Sequence, residues 1–268
     1  MEGERETTKN RRCEADKGEA VAATEESPLL EPGTAKRFQS LAAKLNYYSL
    51  DRADLLFPVK ELMRRMSGPT EEDDIALKRV ARYLIGRPRE ITRYPWQALP
   101  TGITTYVDSD FAGCLRTRKS TSGGVSFWGG QIVKAWSKTQ ATLALSSGEA
   151  ELAAVVRGAT ESLGIQAILE DWGFSISIEI RSDATAAIGI VRRQGLGRVR
   201  HLAVADLWVQ QKVQDGILRI EKHPGRTNPA DLMTKGLDLE TMNRHMAFMG
   251  MCSTRGRSSL APQRVPKP

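Results

Sequence analysis

Apolar and polar positions change period several times along this chain, and each change marks an element. Phe38, Leu41, Ala42 and Leu45 recur at helical spacing. Asp51 is placed to cap a second helix, and Thr70, with acids crowding the turn after it, opens a third carrying Ile75, Leu77, Val80 and Leu84. The stretch from Gly86-Arg87-Pro88-Arg89 through Tyr94-Pro95-Trp96 to Pro100 reads as a linker, because proline interrupts helices and biases the residue before it toward extended backbone. Beyond it the period becomes two. Residues 104–112 alternate, 121–128 follow with Gly123-Gly124 inside them, and Gly129-Gly130 turns the chain into 131–137. A long helical pattern then covers 147–172, with Leu152, Val155, Val156, Ala159, Leu163, Ile168 and Leu169 on its buried side. A fourth strand (176–181), a short helix (184–192), a helix near 201–213, a fifth strand (218–222) and a closing helix from about Pro229 complete the pattern. The order predicts an α/β fold, a five-stranded mixed sheet flanked by helices, preceded by a small helical module.

Four regions follow from this pattern. Residues 1–33, rich in Glu, Lys, Thr and Ala with almost no aromatics, are expected to be disordered, since they cannot bury enough apolar surface to offset ordering entropy. Residues 34–98 form the helical module and its linker, 103–240 the α/β domain, and 241–268 a basic tail expected to lack structure.

Composition removes several classes. The chain has 268 residues, 40% apolar and 26% charged, enough for one domain with a smaller companion. No uninterrupted apolar run reaches the roughly 18–20 residues that span a bilayer, and Met1-Glu2-Gly3-Glu4-Arg5-Glu6 is not the start of a signal peptide. Three scattered cysteines (Cys13, Cys114, Cys252) and three histidines (His201, His223, His245) give no zinc spacing. An intracellular, reducing location is expected, in the cytoplasm, a virus-like particle or the nucleus. Through Thr34 five Lys/Arg face nine Asp/Glu, and the rest of the chain holds 34 against 23, so the folded part is basic. Such a balance suits a polyanion whose phosphates Lys and Arg can neutralise.

The candidate chemistry lies in four carboxylates: Asp108 in a strand, Glu151 in a helix, Asp183 after a strand and Asp231 at a helix start. Magnesium takes oxygen ligands from a few carboxylates and keeps positions open for water and phosphate, and a pair of ions can clamp the attacking and leaving oxygens of a phosphodiester. Mid-strand Asp108 would be costly to bury without a partner. Asp110 shares its strand face and reads either as an outer ligand or as a hydrogen-bond partner. Ser146-Ser147-Gly148-Glu149 fits a capping box, which gives Glu149 a structural task. Glu151, about 200° further round the helix, is left for the site. Asp183 could also cap the following helix. In Asn228-Pro229-Ala230-Asp231, Asn228 is the better cap with Pro229 at the first helical position, which frees Asp231.

Four blocks in this order, Tyr106-Val107-Asp108-Ser109-Asp110-Phe111-Ala112-Gly113, Arg118-Lys119-Ser120-Thr121-Ser122-Gly123, Leu145-Ser146-Ser147-Gly148-Glu149-Ala150-Glu151 and Asn228-Pro229-Ala230-Asp231-Leu232-Met233-Thr234-Lys235, resemble the ribonuclease H domain of copia-type LTR-retrotransposon Pol polyproteins. Upstream, Phe38-Gln39-Ser40-Leu41 through Ala81-Arg82-Tyr83-Leu84 resembles the connection that joins reverse transcriptase to ribonuclease H in those elements. No Tyr-x-Asp-Asp polymerase motif occurs, so this stretch is not expected to polymerise DNA by itself.

The resemblance implies a ribonuclease H-like fold and metal-dependent cutting of the RNA strand of RNA–DNA hybrids. It implies Asp108, Glu151, Asp183 and Asp231 as catalytic ligands of two Mg²⁺ ions, with Mn²⁺ able to substitute, and a reverse-transcriptase polymerase domain in trans as partner. Ser109, Ser146 and Ser147 are candidates for reading 2′-hydroxyls, and Arg116, Arg118 and Lys119 for gripping phosphates. Arg200 and His201 match the family's basic-His segment, yet Ala203, Ala205, Asp206 and Leu207 stand where relatives carry Asp, Arg, an aromatic and His. His223 precedes Pro224 where relatives have an apolar strand residue, and His245 reads as a surface residue. Two other readings fit the same residues: a noncatalytic nucleic-acid-binding remnant, and an integrase or transposase of the same superfamily, which the order Asp, Glu, Asp, Asp disfavours because those proteins place Glu last.

Overall fold

In the computed structural model, which describes residues 27–195, 207–254 and 256, the alternating stretch after Gly102 becomes the central strand of a five-stranded sheet. That strand, β2 (Gly102–Asp110), follows a short β1 (Arg89–Thr92) and is flanked in sequence by β3 (Thr121–Trp128) and β4 (Gln131–Thr139). Later in the chain come β5 (Ser177–Ser182) and β6 (Leu218–Lys222), and the sheet order is β4-β3-β2-β5-β6. β3 pairs antiparallel with both β2 and β4, whereas β2, β5 and β6 run parallel, so β3 alone points the other way. This is the five-stranded mixed sheet that the sequence predicts.

Side-chain alternation along β2 splits the core in two. Val107 faces α4 (Ser147–Asp171), where it joins Leu152, Val155, Ala159, Ile178, Ile180 and Ile220. Tyr106, one residue earlier, faces the opposite cluster of Val125, Phe127, Leu232, Met233, Met246 and Met249. Among the described residues α4 is the one helix long and apolar enough in composition to cross a membrane. Its apolar residues are spent on the sheet: Leu152, Ala154, Val155 and Ala159 are buried there. Of the two neighbours placed on that buried face by the sequence pattern, Leu169 is buried and Ile168 is 53% exposed.

The helical module consists of α1 (Pro32–Tyr48), α2 (Leu56–Met63) and α3 (Glu71–Gly86), packed through Phe38, Ala42, Leu55, Val59, Leu62, Leu77 and Val80. Thr70 caps α3 as expected, in a reciprocal capping box with Asp73. Asp51 does not cap α2; it closes a short 3-10 turn, and the chain passes through a second one before α2 begins. A buried Arg52–Asp54 pair at 2.6 Å, which also accepts the Tyr83 hydroxyl at 2.6 Å, occupies that crossing. The module docks on the sheet: Lys60 Nζ donates to Thr121 Oγ1 at 2.6 Å and Arg64 to Thr117 Oγ1 at 3.1 Å.

Three boundaries differ from the sequence reading. Of the N-terminal segment expected to be disordered, residues 1–26 lie outside the described residues, but Leu29 bridges Thr70 and Leu30 N–H donates to Pro69 O at 2.9 Å. The linker contains β1, which pairs antiparallel with β7 (Met251–Thr254). The tail expected to lack structure holds β7 and α7 (Leu239–Phe248), because Met242, Met246, Met249 and Met251 supply an apolar face that packs under Tyr106 and Phe127. Phe248 completes an edge-to-face triangle with those two rings at 5.5 and 5.6 Å. His245, read as a surface residue, is 1% exposed within this packing. Before α7, the closing helix expected from Pro229 is a 3-10 turn, Pro229–Met233. The remaining α-helices among the described residues are α5 (Thr185–Arg192) and α6 (Trp208–Gln214).

Candidate metal centre

Strand direction carries the carboxylates to one end of the sheet. β2 and β5 are parallel, so Asp108, near the end of β2, and Asp183, directly after β5, lie at the same edge. β4 runs the same way as β2, so α4 starts at this edge and brings Glu151 in its second turn. After β6 the chain folds back under β2 and β3, and its 3-10 turn carries Asp231.

Asp108, Glu151 and Asp183 each present a ligand oxygen within 4.8 Å of the other two. Asp108 is 3% exposed, and its Oδ2 accepts a hydrogen bond from the Thr234 hydroxyl. Glu151 Oε2 is buried with no hydrogen-bond partner among the described residues. An orphaned carboxylate oxygen beside two further carboxylates is costly unless a cation completes it, and an all-oxygen set suits a hard divalent ion. Asp231, also expected as a ligand, is not among the oxygens that close within 4.8 Å; its Oδ1 is 3.1 Å from Lys235 Nζ, which is 3.5 Å from Asp108 Oδ2.

The charges of this cluster oppose one another. Burial, reinforced by Asp108 and Asp183 and opposed by the Ser109 N–H and Lys235, pushes the Glu151 carboxyl up to about 8. Asp183 is raised by burial and then by Asp108, and Asp231 by burial and Asp108 against the pull of Lys235. Burial lowers Lys235, but Asp108 and Asp231 outweigh it and leave the ammonium above its ordinary value.

Neighbouring residues fix these positions. Asn228, fully buried, donates through Nδ2 to Val107 O at 2.9 Å and accepts from Ala230 N–H at 3.1 Å through Oδ1, so the cap expected there also ties the Asp231 turn to β2. Gln140 Nε2 donates to Ala150 O at 2.8 Å and Ser122 Oγ at 2.9 Å, joining the first turn of α4 to the sheet. Gly123, the cross-strand partner of Asp108, leaves room for the Asp231 turn: a Cβ there would stand 2.6 Å from both Met233 Cβ and Thr234 Cγ2. Gly123→Ala is therefore expected to cost about 1–3 kcal/mol through overpacking, read as a lower urea midpoint at unchanged slope. A midpoint equal to the parent's would mean the turn can shift freely. At Gly225 a Cβ would fall 2.5 Å from Asp183 Oδ2, so this loop holds Asp183 in place.

Glu149 performs the expected capping, with Ser146 Oγ accepting from its N–H at 3.3 Å. Its carboxylate reaches Leu145 N–H at 2.9 Å, one residue before the cap. Asp183 does not cap α5, whose first turn has no side-chain cap. Of the two roles open to Asp110, the hydrogen bond is the one formed, to Thr121 N–H.

The residues expected to contact nucleic acid divide. The Ser109 hydroxyl is buried and engaged with Gln140 at 3.2 Å and Asp110 O at 3.2 Å, so it does not face a ligand. Ser146 is committed to the helix cap, while Ser147 is exposed. Arg116 and Arg118 are exposed in the loop that leaves β2 beyond Asp108, and Lys119 is partly so. Arg200 and His201 lie outside the described residues. His223 stacks edge-on against Tyr106 at 4.9 Å and bonds Thr227, a structural setting. Lys235, Thr234 and Gln140 take part in the site without having been given a role from the sequence. For Lys235 a signal existed, since it stands four residues after Asp231, the spacing of a helical ion pair.

A sheet in which β3 alone is reversed, with carboxylates from β2, α4 and the end of β5 gathered at one edge, defines a ribonuclease H-like protein. The chain is 28% identical over 228 residues to the retrovirus-related Pol polyprotein from transposon RE1 of Arabidopsis thaliana, covering 84% of this chain and 15% of that protein. It is 28% identical over 204 residues to that from transposon TNT 1-94 of Nicotiana tabacum, covering 75% of this chain and 15% of that protein. Among solved structures it is similar to LC11-RNase H1, isolated from compost by a metagenomic approach, with a TM-score of 0.37 and 18% identity over 50% of this chain and 93% of that one. No protein-family model matches the chain. The relatives that it matches over most of its own length are retrovirus-related Pol polyproteins of copia-type transposons. It spans about 15% of the length of those Pol relatives.

Proposed function

We propose that the chain is a divalent-metal-dependent endonuclease that hydrolyses the RNA strand of RNA–DNA hybrids, working beside a reverse-transcriptase polymerase domain. The observation that carries this reading is the convergence of Asp108, Glu151 and Asp183 oxygens within 4.8 Å at the open edge of the sheet. These three side chains would hold magnesium, or manganese in its place. A divalent ion supplies positive charge where the phosphodiester gathers negative charge in the transition state. The protein's own part is positional. Thr234 and Lys235 fix the Asp108 carboxylate from one side, Gly225 backs Asp183, and the capped first turn of α4 sets Glu151. Exposed Arg116 and Arg118 are placed to take backbone phosphates, which position a duplex without reading its sequence. Ser147, exposed beside Glu151 on the same helix end, is the serine available to a 2′-hydroxyl. Free thiols at Cys114 and Cys252 suit an intracellular site of action.

The test is incubation of the purified chain with an RNA–DNA hybrid labelled on either strand. Cutting of the RNA strand alone, dependent on Mg²⁺ or Mn²⁺ and stopped by EDTA, is the expected outcome. Binding of the hybrid with both strands left intact in either metal would favour the noncatalytic remnant instead.

A further inference from the structure

The outer side of α4 carries a second cleft that the metal centre does not use. Ala153, Val156, Arg157 and Thr160 line it at the i, i+3, i+4, i+7 spacing of a single helical stripe, and Lys138 and Thr139 of β4 close it from the sheet. At about 100° per residue, that stripe is centred roughly 180° around α4 from Glu151. The cleft therefore opens toward the edge strand β4, while Glu151 turns toward Asp108 and Asp183. Both lie at the same end of the sheet, because β4 runs in the direction of β2 and Thr139 is its last residue. A helix with its side chains is about 10–12 Å across, which sets the distance between the two sites.

The cleft has the chemistry of an anion site. Its volume is about 350 Å³, and no acidic side chain lines it. Two of its polar atoms, Thr139 Oγ1 and Arg157 Nε, are buried without a hydrogen-bond partner among the described residues. Such groups cost free energy until a ligand or water completes them. Glu161 pairs with Arg157 Nη2 and with Lys134 Nζ, which holds the guanidinium by one nitrogen and leaves Nε unused. Lys138, exposed on the rim, adds an ammonium with three rotatable donors. Guanidinium, hydroxyl and ammonium around one space match the several acceptor oxygens of a phosphate group.

We infer that this cleft binds a backbone phosphate of the nucleic acid other than the scissile one, and so sets the register in which the hybrid meets the carboxylates. The inference rests on the nuclease reading above and adds Lys138 and Arg157 to it. A separation of about 10 Å across α4 places different phosphates of one duplex in the two sites. Contacts of this kind position a duplex without reading its bases, and they make affinity depend on salt. Free inorganic phosphate shares the chemistry but brings no second phosphate for the metal centre.

The experiment measures binding of a fluorescein-labelled RNA–DNA hybrid by anisotropy, in EDTA and at several salt concentrations. It compares the full parent chain with Lys138→Met, Lys138→Arg, Arg157→Gln and Arg219→Gln. Arg219 is exposed on β6, the opposite edge strand, so its replacement removes the same charge far from the cleft. Lys138→Met and Arg157→Gln should each weaken binding about five- to tenfold and lower the salt slope by about one. Lys138→Arg should bind like the parent, and Arg219→Gln should stay within about twofold of it. The Arg157 Nε–H resonance should shift when hybrid is added and stay in place with inorganic phosphate at the same ionic strength. Lys138→Met and Arg157→Gln variants that bind as tightly as Arg219→Gln, or a resonance that answers to inorganic phosphate alone, overturn the inference and leave the nuclease reading standing. A parent that cuts no hybrid in Mg²⁺ yet shows the predicted binding losses supports the cleft and sinks the nuclease reading. A parent that binds no hybrid at low salt, with EDTA or with Mg²⁺, overturns both.

Discussion

Asp108→Asn should reduce cutting of the hybrid by about 10³-fold or more, equivalent to roughly 4 kcal/mol of transition-state stabilisation. Asp108 is the carboxylate common to both sides of the centre, shared between the Glu151 and Asp183 oxygens and the Lys235 ammonium. Asparagine keeps an oxygen to accept from Thr234 and nearly the same volume, so the fold should survive. It also removes one of several carboxylates that repel one another, and the metal-free variant should melt at or above the parent temperature. Loss of cutting together with retained melting is thus the expected pair of results. Cutting within tenfold of the parent would mean that the activity arises elsewhere, or from a contaminant.

The second large effect concerns pH. Burial and the two neighbouring aspartates raise the Glu151 carboxyl to about 8 in the metal-free fold, whereas an unfolded Glu titrates near 4.3. A raised carboxyl favours the protonated form of the folded state. Its contribution to stability is therefore complete below the unfolded value and is lost as pH rises through about 8. In EDTA the melting temperature should fall between pH 6 and 8.5, and Asp183, raised in the same direction, steepens the low end of that fall. Glu151→Gln should flatten the profile. Mg²⁺ should restore the parent most at pH 8.5, because an ion that binds only the folded state stabilises it by mass action. A metal-free parent as stable at pH 8.5 as at pH 6, with Glu151→Gln tracking it, would show that the carboxyl is not strained by its neighbours.

Much of this was legible before any coordinates. Strand alternation gave β3 and β6 their observed bounds and put Asp108 and Asp110 on one face of β2, because side chains alternate with a two-residue period. Glu149 and Glu151 could be told apart because capping geometry is local. The remainder depended on contacts distant in sequence. Residues 241–254 looked like tail because their apolar content is methionine among basic and polar residues, and that face has meaning only once Tyr106 and Phe127 are present to receive it. β1 could not be read from a proline-rich linker because its partner, β7, is far along the chain. Ser109 illustrates the opposite error. Next to Asp108 in sequence, it points to the other face of the strand and spends its hydroxyl on Gln140. Lys235 was visible as an i,i+4 partner of Asp231, but its reach to Asp108 required the turn to be docked against β3.

The central claim, that three carboxylates distant in sequence form one cation site, is tested most directly by crystals grown or soaked with Mn²⁺ and measured for anomalous scattering. The account predicts a peak within bonding distance of Asp108, Glu151 and Asp183, absent from Asp108→Asn crystals treated alike. A peak lying elsewhere, or none at Mn²⁺ concentrations that support cutting, would contradict it.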